Sequence, residues 1–391
     1  MNQAESVAEP SHASDGYRLL DIPPAPRSRH EWDDRMVPVR ERFHAAGISS
    51  IYLLNGTFCG DDPFGFFTSL DPWVPGLTRL AREKTIRMID ATFGESGNFL
   101  PGYAAAMEHG LQRDDGRGPR VERLYWSGEN HHFGRVAGAI AFLDDLFEQS
   151  WGPEDRLLFL AQSHGGNVLA LMSCLLSGSL AWRDQFFDAV EAFARTSAPE
   201  TARPAWLRVR ERLERNDLPV RPEQLDFVTL GTPIVYPFAK TGCGKLLHIV
   251  NHRPRPGLPA EQTSLPRSLA EFPDGADGDY VHQIGITGSN FAPSWLCPRQ
   301  WLANHRLRRL LGGEKTWRRY FPALAAGVRV REGATVHQGQ LTRLAGETLL
   351  IDYGLSSHRR AAHMFGHGVY THRRHLVPQL ELIASSLYDA R

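Results

Sequence analysis

Asp155–Leu176 reads DRLLFLAQSHGGNVLALMSCLL, and its internal order decides the fold. An apolar run from Leu157 to Leu160 gives way to Ala161-Gln162-Ser163-His164-Gly165-Gly166, after which an almost wholly apolar helical pattern begins at Asn167. Strand, sharp turn and buried helix thus follow one another without a linker. Small residues at 161, 165 and 166 let the turn approach neighbouring backbone, and such a turn thrusts the Ser163 side chain out above a sheet. The pattern is a nucleophile elbow with Ala in its first Gly position. A serine that only caps the helix is the plainer alternative.

Strand and helix patterns alternate on both sides of this stretch. Before it come a helix over Glu31–Ala46, a β-rich run Ile48–Leu54 feeding the loop Asn55-Gly56-Thr57, a helix over Leu77–Phe93, a strand over Val121–Trp126 and a helix over Arg135–Phe147. After it come strand patterns at Leu225–Pro233, Lys245–Val250 and Glu347–Gly354, then a terminal helix from His375 to Tyr388 with Pro378 in its first turn. The order predicts an α/β fold, a mostly parallel sheet with helices on both faces. Residues 1–30, polar and ending in Pro23, Pro24 and Pro26, read as a poorly ordered arm, leaving 31–391 as one domain. Two insertions interrupt it. Residues 180–223 carry helical patterns that suit either a cap over a catalytic face or extra packing helices. Residues 253–346 are irregular and Pro/Gly-rich, with a helix at Trp295–Leu311 and a hairpin near Val328–Val336.

Composition narrows the function classes. Lys and Arg together number 44, as do Asp and Glu, so no basic footprint points to nucleic acid. Cys59, Cys174, Cys243 and Cys297 are widely spaced without CxxC pairs and read as reduced thiols. The start lacks a signal-peptide pattern and no window is apolar enough to span a membrane, so a cytoplasmic protein without integral membrane association is expected.

A serine nucleophile needs a base, an acid that orients the base, and donors for the oxyanion. In this fold the order is Ser, acid, His. Of the late histidines His358, His363, His367, His372 and His375, only His367 is flanked by glycines, in Phe365-Gly366-His367-Gly368, where a loop carries the ring back over the sheet. Asp279, ahead of Tyr280-Val281, is the preferred acid over Asp274 and Asp277 in their Gly-rich turn, with Asp352 second. The backbone N–H groups of His164 and Thr57 are the expected oxyanion donors.

These residues resemble the α/β-hydrolases, and among them class-three (fungal-type) lipase-like proteins. The likeness rests on Gly56-Thr57, Ser163 to Gly166, Asp279-Tyr280-Val281, His367 with Tyr370, and Leu230-Gly231-Thr232-Pro233. It implies a Ser163–His367–Asp279 triad acting on a small-molecule or lipid ester with no cofactor. Ala161 and Asn55, where such enzymes carry Gly and His or Arg, and the long 253–346 region depart from the pattern. An acyltransferase or amidase would use the same residues, and a non-catalytic binding protein the same fold.

Two other chemistries fit less well. Thr241-Gly-Cys-Gly-Lys245 suggests a phosphate loop, but Leu246 stands where Ser or Thr would hold Mg²⁺ and a strand follows. His363 and His367 are four apart, yet Gly366 breaks the helix a metal pair would need, so no metal is expected. Trp126-Ser-Gly-Glu-Asn-His131, with Arg135 beyond, reads as a strand end and helix start.

Overall fold

The computed structural model describes residues 17–65, 67, 75–194, 204–260, 268, 271, 275–285, 290, 291, 293, 298–311, 346–354 and 364–389. Its centre is one seven-stranded sheet, parallel throughout: β1 (Tyr17–Asp21), β2 (Ile48–Leu54), β3 (Arg120–Leu124), β4 (Arg156–Gln162), β5 (Leu225–Leu230), β6 (Lys245–Asn251) and β7 (Glu347–Asp352) in the order β1-β7-β6-β5-β4-β2-β3. This is an α/β fold. The inner strands read as continuous apolar runs because helices cover both of their faces.

Side-chain alternation along β4 divides the core. Leu157, Phe159 and Ala161 join one apolar cluster, whereas Leu158 and Leu160 join the other. On the other side lie α1 (Arg29–Ala45), α3 (Pro101–Leu111) and α10 (Leu376–Leu387), contributing Met36, Met107 and Leu380 among others. On the first side lie α4 (His132–Phe147), α5 (Gly165–Ser177), α6 (Leu180–Ala194), α7 (Ala205–Arg215) and α9 (Pro298–Leu311). The remaining helices are α2 (Pro75–Phe93) and the short α8 (Tyr280–Gly285).

Strand order also fixes where a site belongs. β2 and β4 are neighbours, and the chain leaves β2 towards β3 on one side but leaves β4 towards β5 on the other. Loops leaving the carboxyl ends of two such strands diverge and open a crevice, the usual ligand position in α/β sheets. Here those ends carry Asn55-Gly56-Thr57 and Ser163.

Two features depart from the sequence reading. Tyr17–Asp21, assigned to a disordered arm, forms β1 against β7; five residues with a half-exposed face give too little alternation to register as a strand. Helix α3 was not foreseen, although Tyr103, Met107 and Leu111 recur every four residues behind Pro101 at its start. Within 180–223, α6 and α7 bury Phe186, Phe187, Val209 and Leu213 in the core, the packing-helix alternative. Lys245 of the phosphate-loop-like stretch opens β6, its Nζ bonded to the Leu387 carbonyl. The candidate hairpin at 328–336 lies outside the described residues.

At the amino ends of β4 and β5 a charged pair is sealed in. Arg156 donates from Nε (3.0 Å) and Nη2 (2.5 Å) to Asp226, whose side chain is fully buried and also accepts from the Tyr388 hydroxyl at 2.9 Å. Burial raises the Asp226 carboxyl against the opposing pull of Arg156. Removing the guanidinium strands a buried carboxylate, so Arg156→Met is expected to lower stability by about 3 kcal/mol in urea unfolding; a change below about 0.5 kcal/mol would contradict this account.

Candidate active site

Ser163 sits where β4 turns into α5, and its φ of +54° lies in the left-handed region that a side chain enters only at a cost of about 1–2 kcal/mol. The turn is held by the Ser163 N–H donating to Leu230 O at 2.9 Å and the Gly166 N–H donating to Ser163 O at 3.1 Å. Gly56 passes directly over it: a Cβ built there would stand 2.5 Å from Ser163 Cβ and 3.1 Å from its Oγ. The loop after β2 therefore touches the serine only because residue 56 has no side chain. Ala161, the departure from the usual first Gly, lies fully buried in the core face of β4.

The acid and base loops meet over the ends of β5 and β6. His367 Nδ1 lies 2.7 Å from Asp279 Oδ2, and the same oxygen accepts from the Tyr370 hydroxyl at 2.7 Å. The other oxygen, Oδ1, accepts the His282 N–H at 2.7 Å, so the carboxylate is fixed from both sides. This bond assigns the ring proton to Nδ1 and leaves Nε2, buried and unpartnered, with its lone pair free. Asn251 laces the two loops together: its O accepts the Asp279 N–H (2.9 Å), its Nδ2 donates to Gly366 O (2.8 Å) and its N–H donates to the Tyr370 hydroxyl (2.8 Å).

The competing candidates are engaged elsewhere. Asp352 takes both arms of Arg253 (2.9 and 3.0 Å), and Asp277 those of Arg255 (2.9 and 2.5 Å). His372 lies 3.5 Å from Glu95 and His375 packs its ring against Tyr353. Asp274, His358 and His363 lie outside the described residues. Thus Ser163, His367, Thr57 and His164 line one cleft of about 320 Å³, with Asp279 directly behind His367. No hydrogen bond joins Ser163 Oγ to His367 Nε2; such contacts commonly tighten only around a substrate. A larger cavity of about 770 Å³, bounded by Arg27, Arg29, Arg373 and Arg374, shares no residue with the cleft, and its Ser28 hydroxyl caps α1 by accepting the Glu31 N–H.

Backbone strain gathers at the same cleft. Among the described residues, five non-glycines have positive φ: Phe58, Ser163, Asn216, Met364 and Phe365. All but Asn216 line the cleft, a concentration typical of functional sites. On the oxyanion side, the N–H groups of Thr57 and His164 have no backbone acceptor among the described residues, and the buried Thr57 hydroxyl has no partner. His164 also stands at the start of α5, where helix N–H groups and the dipole favour negative charge.

Asn130 and Gln162 line the cleft too, and the sequence reading had assigned neither a role there. Asn130 fell in a stretch explained as a strand end, and only the fold brings it to the serine. Cys59, another lining residue, and Cys174 and Cys243 are free, with burial raising each thiol to about 12; Cys297 lies outside the described residues. No family model matches this chain, and no curated protein or solved structure matches it significantly.

Buried imidazoles around the site are kept neutral. Burial first, then the Arg135 and His367 charges, hold His164 well below the ordinary 6.5, and its Nδ1 accepts from Asn167 Nδ2 at 3.0 Å. Burial and Arg135 likewise lower His132 to about 3. The unfolded chain protonates both near 6.5 while the folded chain does not, so stability is fully present above pH 6.5 and is lost as pH falls below it. A loss of about 2 kcal/mol between pH 7 and 5.5 is expected in urea unfolding, with His132→Gln roughly halving it; a flat profile would refute the assignment.

Proposed function

We propose that this chain is a serine hydrolase of α/β-hydrolase type that cleaves a carboxylic ester through an acyl-enzyme. The observation that carries this is the Asp279–His367 pair, whose imidazole turns an unpartnered Nε2 to the cleft that a strained Ser163 also lines. In the reaction, Ser163 Oγ attacks the ester carbonyl while His367 Nε2 takes its proton, and Asp279 stabilises the imidazolium that forms. The proton passes to the departing alkoxide, releasing the alcohol. Water, deprotonated by the same nitrogen, then attacks the acyl-enzyme and frees the acid and Ser163. The Thr57 N–H, in the loop after β2, and the His164 N–H, at the amino end of α5, supply the oxyanion donors at each tetrahedral stage.

The cleft favours an apolar acyl or alcohol portion. Phe93, Pro233, Val281, Met364 and Phe365 line it, and the rings of Phe58, Phe64 and Phe291 cluster at 5.9–6.2 Å. Small-molecule or lipid esters therefore suit it. Three free thiols among the described residues, two of them buried, fit a reducing compartment, and cytoplasmic localisation is part of this reading. Among the described residues no helix is long and apolar enough to cross a membrane.

A fluorophosphonate is expected to label the protein at Ser163, and Ser163→Ala to abolish both labelling and ester turnover. Asp279→Asn is expected to keep the fold, through its Tyr370 and His282 contacts, yet lower kcat by about 10³–10⁴-fold because His367 loses its tautomer control. Undiminished labelling in Ser163→Ala, or wild-type kcat in Asp279→Asn, would overturn the triad. A p-nitrophenyl ester chain-length series measures which acyl groups the cleft accepts.

A further inference from the structure

The stretch Trp126–His131 braces the oxyanion side of the cleft. Gly128 O accepts the Phe58 N–H at 3.0 Å, Trp126 O the Asp61 N–H at 3.2 Å and Ser127 O the Asp62 N–H at 3.1 Å, so this loop lies directly against the one that bears Thr57. Asn130 follows and lines the cleft. Its amide orientation is set by Arg135, the largest fully buried side chain, whose Nη2 donates to Asn130 Oδ1 at 2.5 Å. With the oxygen turned to the guanidinium, Nδ2 is left as the polar group without a partner among the described residues. An amide flip would set two donors against each other.

Arg135 itself is an unusual buried cation. Among the described residues its other acceptors are neutral, Asn290 Oδ1 at 2.8 Å and the Tyr236 hydroxyl at 3.1 Å, and its buried Nε has no partner. The neighbouring acid Glu129 accepts instead from His131 Nε2 and Gln300 Nε2, each at 3.1 Å. A buried guanidinium without a carboxylate is costly to hold, and charge that develops close by offsets the cost. Its field already reaches His164, the residue whose N–H is an oxyanion donor.

We propose that Asn130 is a further catalytic residue, its Nδ2 donating a third hydrogen bond to the oxyanion formed on Ser163, and that Arg135 is the residue that positions it. The guanidinium orients the amide through Oδ1 and polarises it, so that the donor stands ready before charge appears at the carbonyl oxygen. The Trp126–Arg135 stretch thereby acquires a role beyond ending a strand and starting a helix. This inference rests on Ser163 being the nucleophile, and the test separates the two.

The test uses the full chain and measures the second-order rate of fluorophosphonate labelling alongside p-nitrophenyl acetate hydrolysis. Phosphonylation proceeds through a charged oxygen that occupies the same hole. If wild-type protein and Ser163→Ala are indistinguishable in labelling, the nucleophile assignment falls and this inference with it. If only wild type labels, Asn130→Asp becomes decisive: it keeps an acceptor for Arg135, and hence the local fold, but removes the donor. Its labelling rate and kcat are expected to fall by about 10²–10³-fold with KM changed less than about threefold. A folded Asn130→Asp with rates within about threefold of wild type overturns the proposal. Arg135→Met is expected to lower kcat in the wild-type background but to add little in Asn130→Ala, with Arg135→Lys recovering part of the loss. Equal losses in both backgrounds would remove Arg135 from the role.

Discussion

Order at the candidate site descends from one hydrogen bond, the Ser163 N–H to the Leu230 carbonyl at 2.9 Å. It pins the elbow of β4 to the end of β5, and the lacing continues residue by residue across the sheet. The Gly231 N–H donates to Ile249 O, in β6, at 2.8 Å; two residues on, Asn251 holds the loops of Asp279 and His367. Gly231 has a φ of +59°, and a Cβ there would stand 2.6 Å from Asp279 Oδ2 and collide with the Tyr370 ring. Strand ends in parallel register thus serve as the common ruler against which Ser163, Asp279 and His367 are spaced.

The same lacing explains how strained residues are tolerated. Ser163, Phe58, Met364 and Phe365 each hold a left-handed backbone, and each occupies a loop tied to a strand end or to its neighbour loop. Phe58 gives its N–H to Gly128, and the Phe365 carbonyl receives that of Tyr280. A sheet buried on both faces supplies the stabilisation against which these local costs are small. Rigidity at the cleft is therefore inherited from the core rather than generated by the loops.

What was legible in the sequence follows the range of the interactions concerned. β4, its turn and α5 declare themselves in 22 residues because a continuous apolar run, small turn residues and an apolar helix are all local. His367 was legible through its flanking glycines, again a local signal. Choosing among Asp277, Asp279 and Asp352 was not, since what separates them is a partner distant in the chain: Arg255, His367 or Arg253. Asn130 is the extreme case. Its partner Arg135 is close in sequence, but its place in one cleft with Thr57 and His164 exists only once β3 lies against β2. Strand β1 escaped notice for the opposite reason, being local but too short and too exposed.

That strand also has a bearing on how the chain assembles. Tyr17 stands opposite Thr348 and Asp21 opposite Asp352, so among the described strands the first in sequence pairs with the last. β1 is made long before β7, its one sheet neighbour among the described strands. Closing so long a loop is entropically unfavourable and comes after the more local pairings. Arg18 and Asp21, charged residues on an edge strand, discourage that waiting segment from joining another sheet in the interval. β1 therefore closes the sheet's edge through the pairing with the greatest separation in sequence among the described strands.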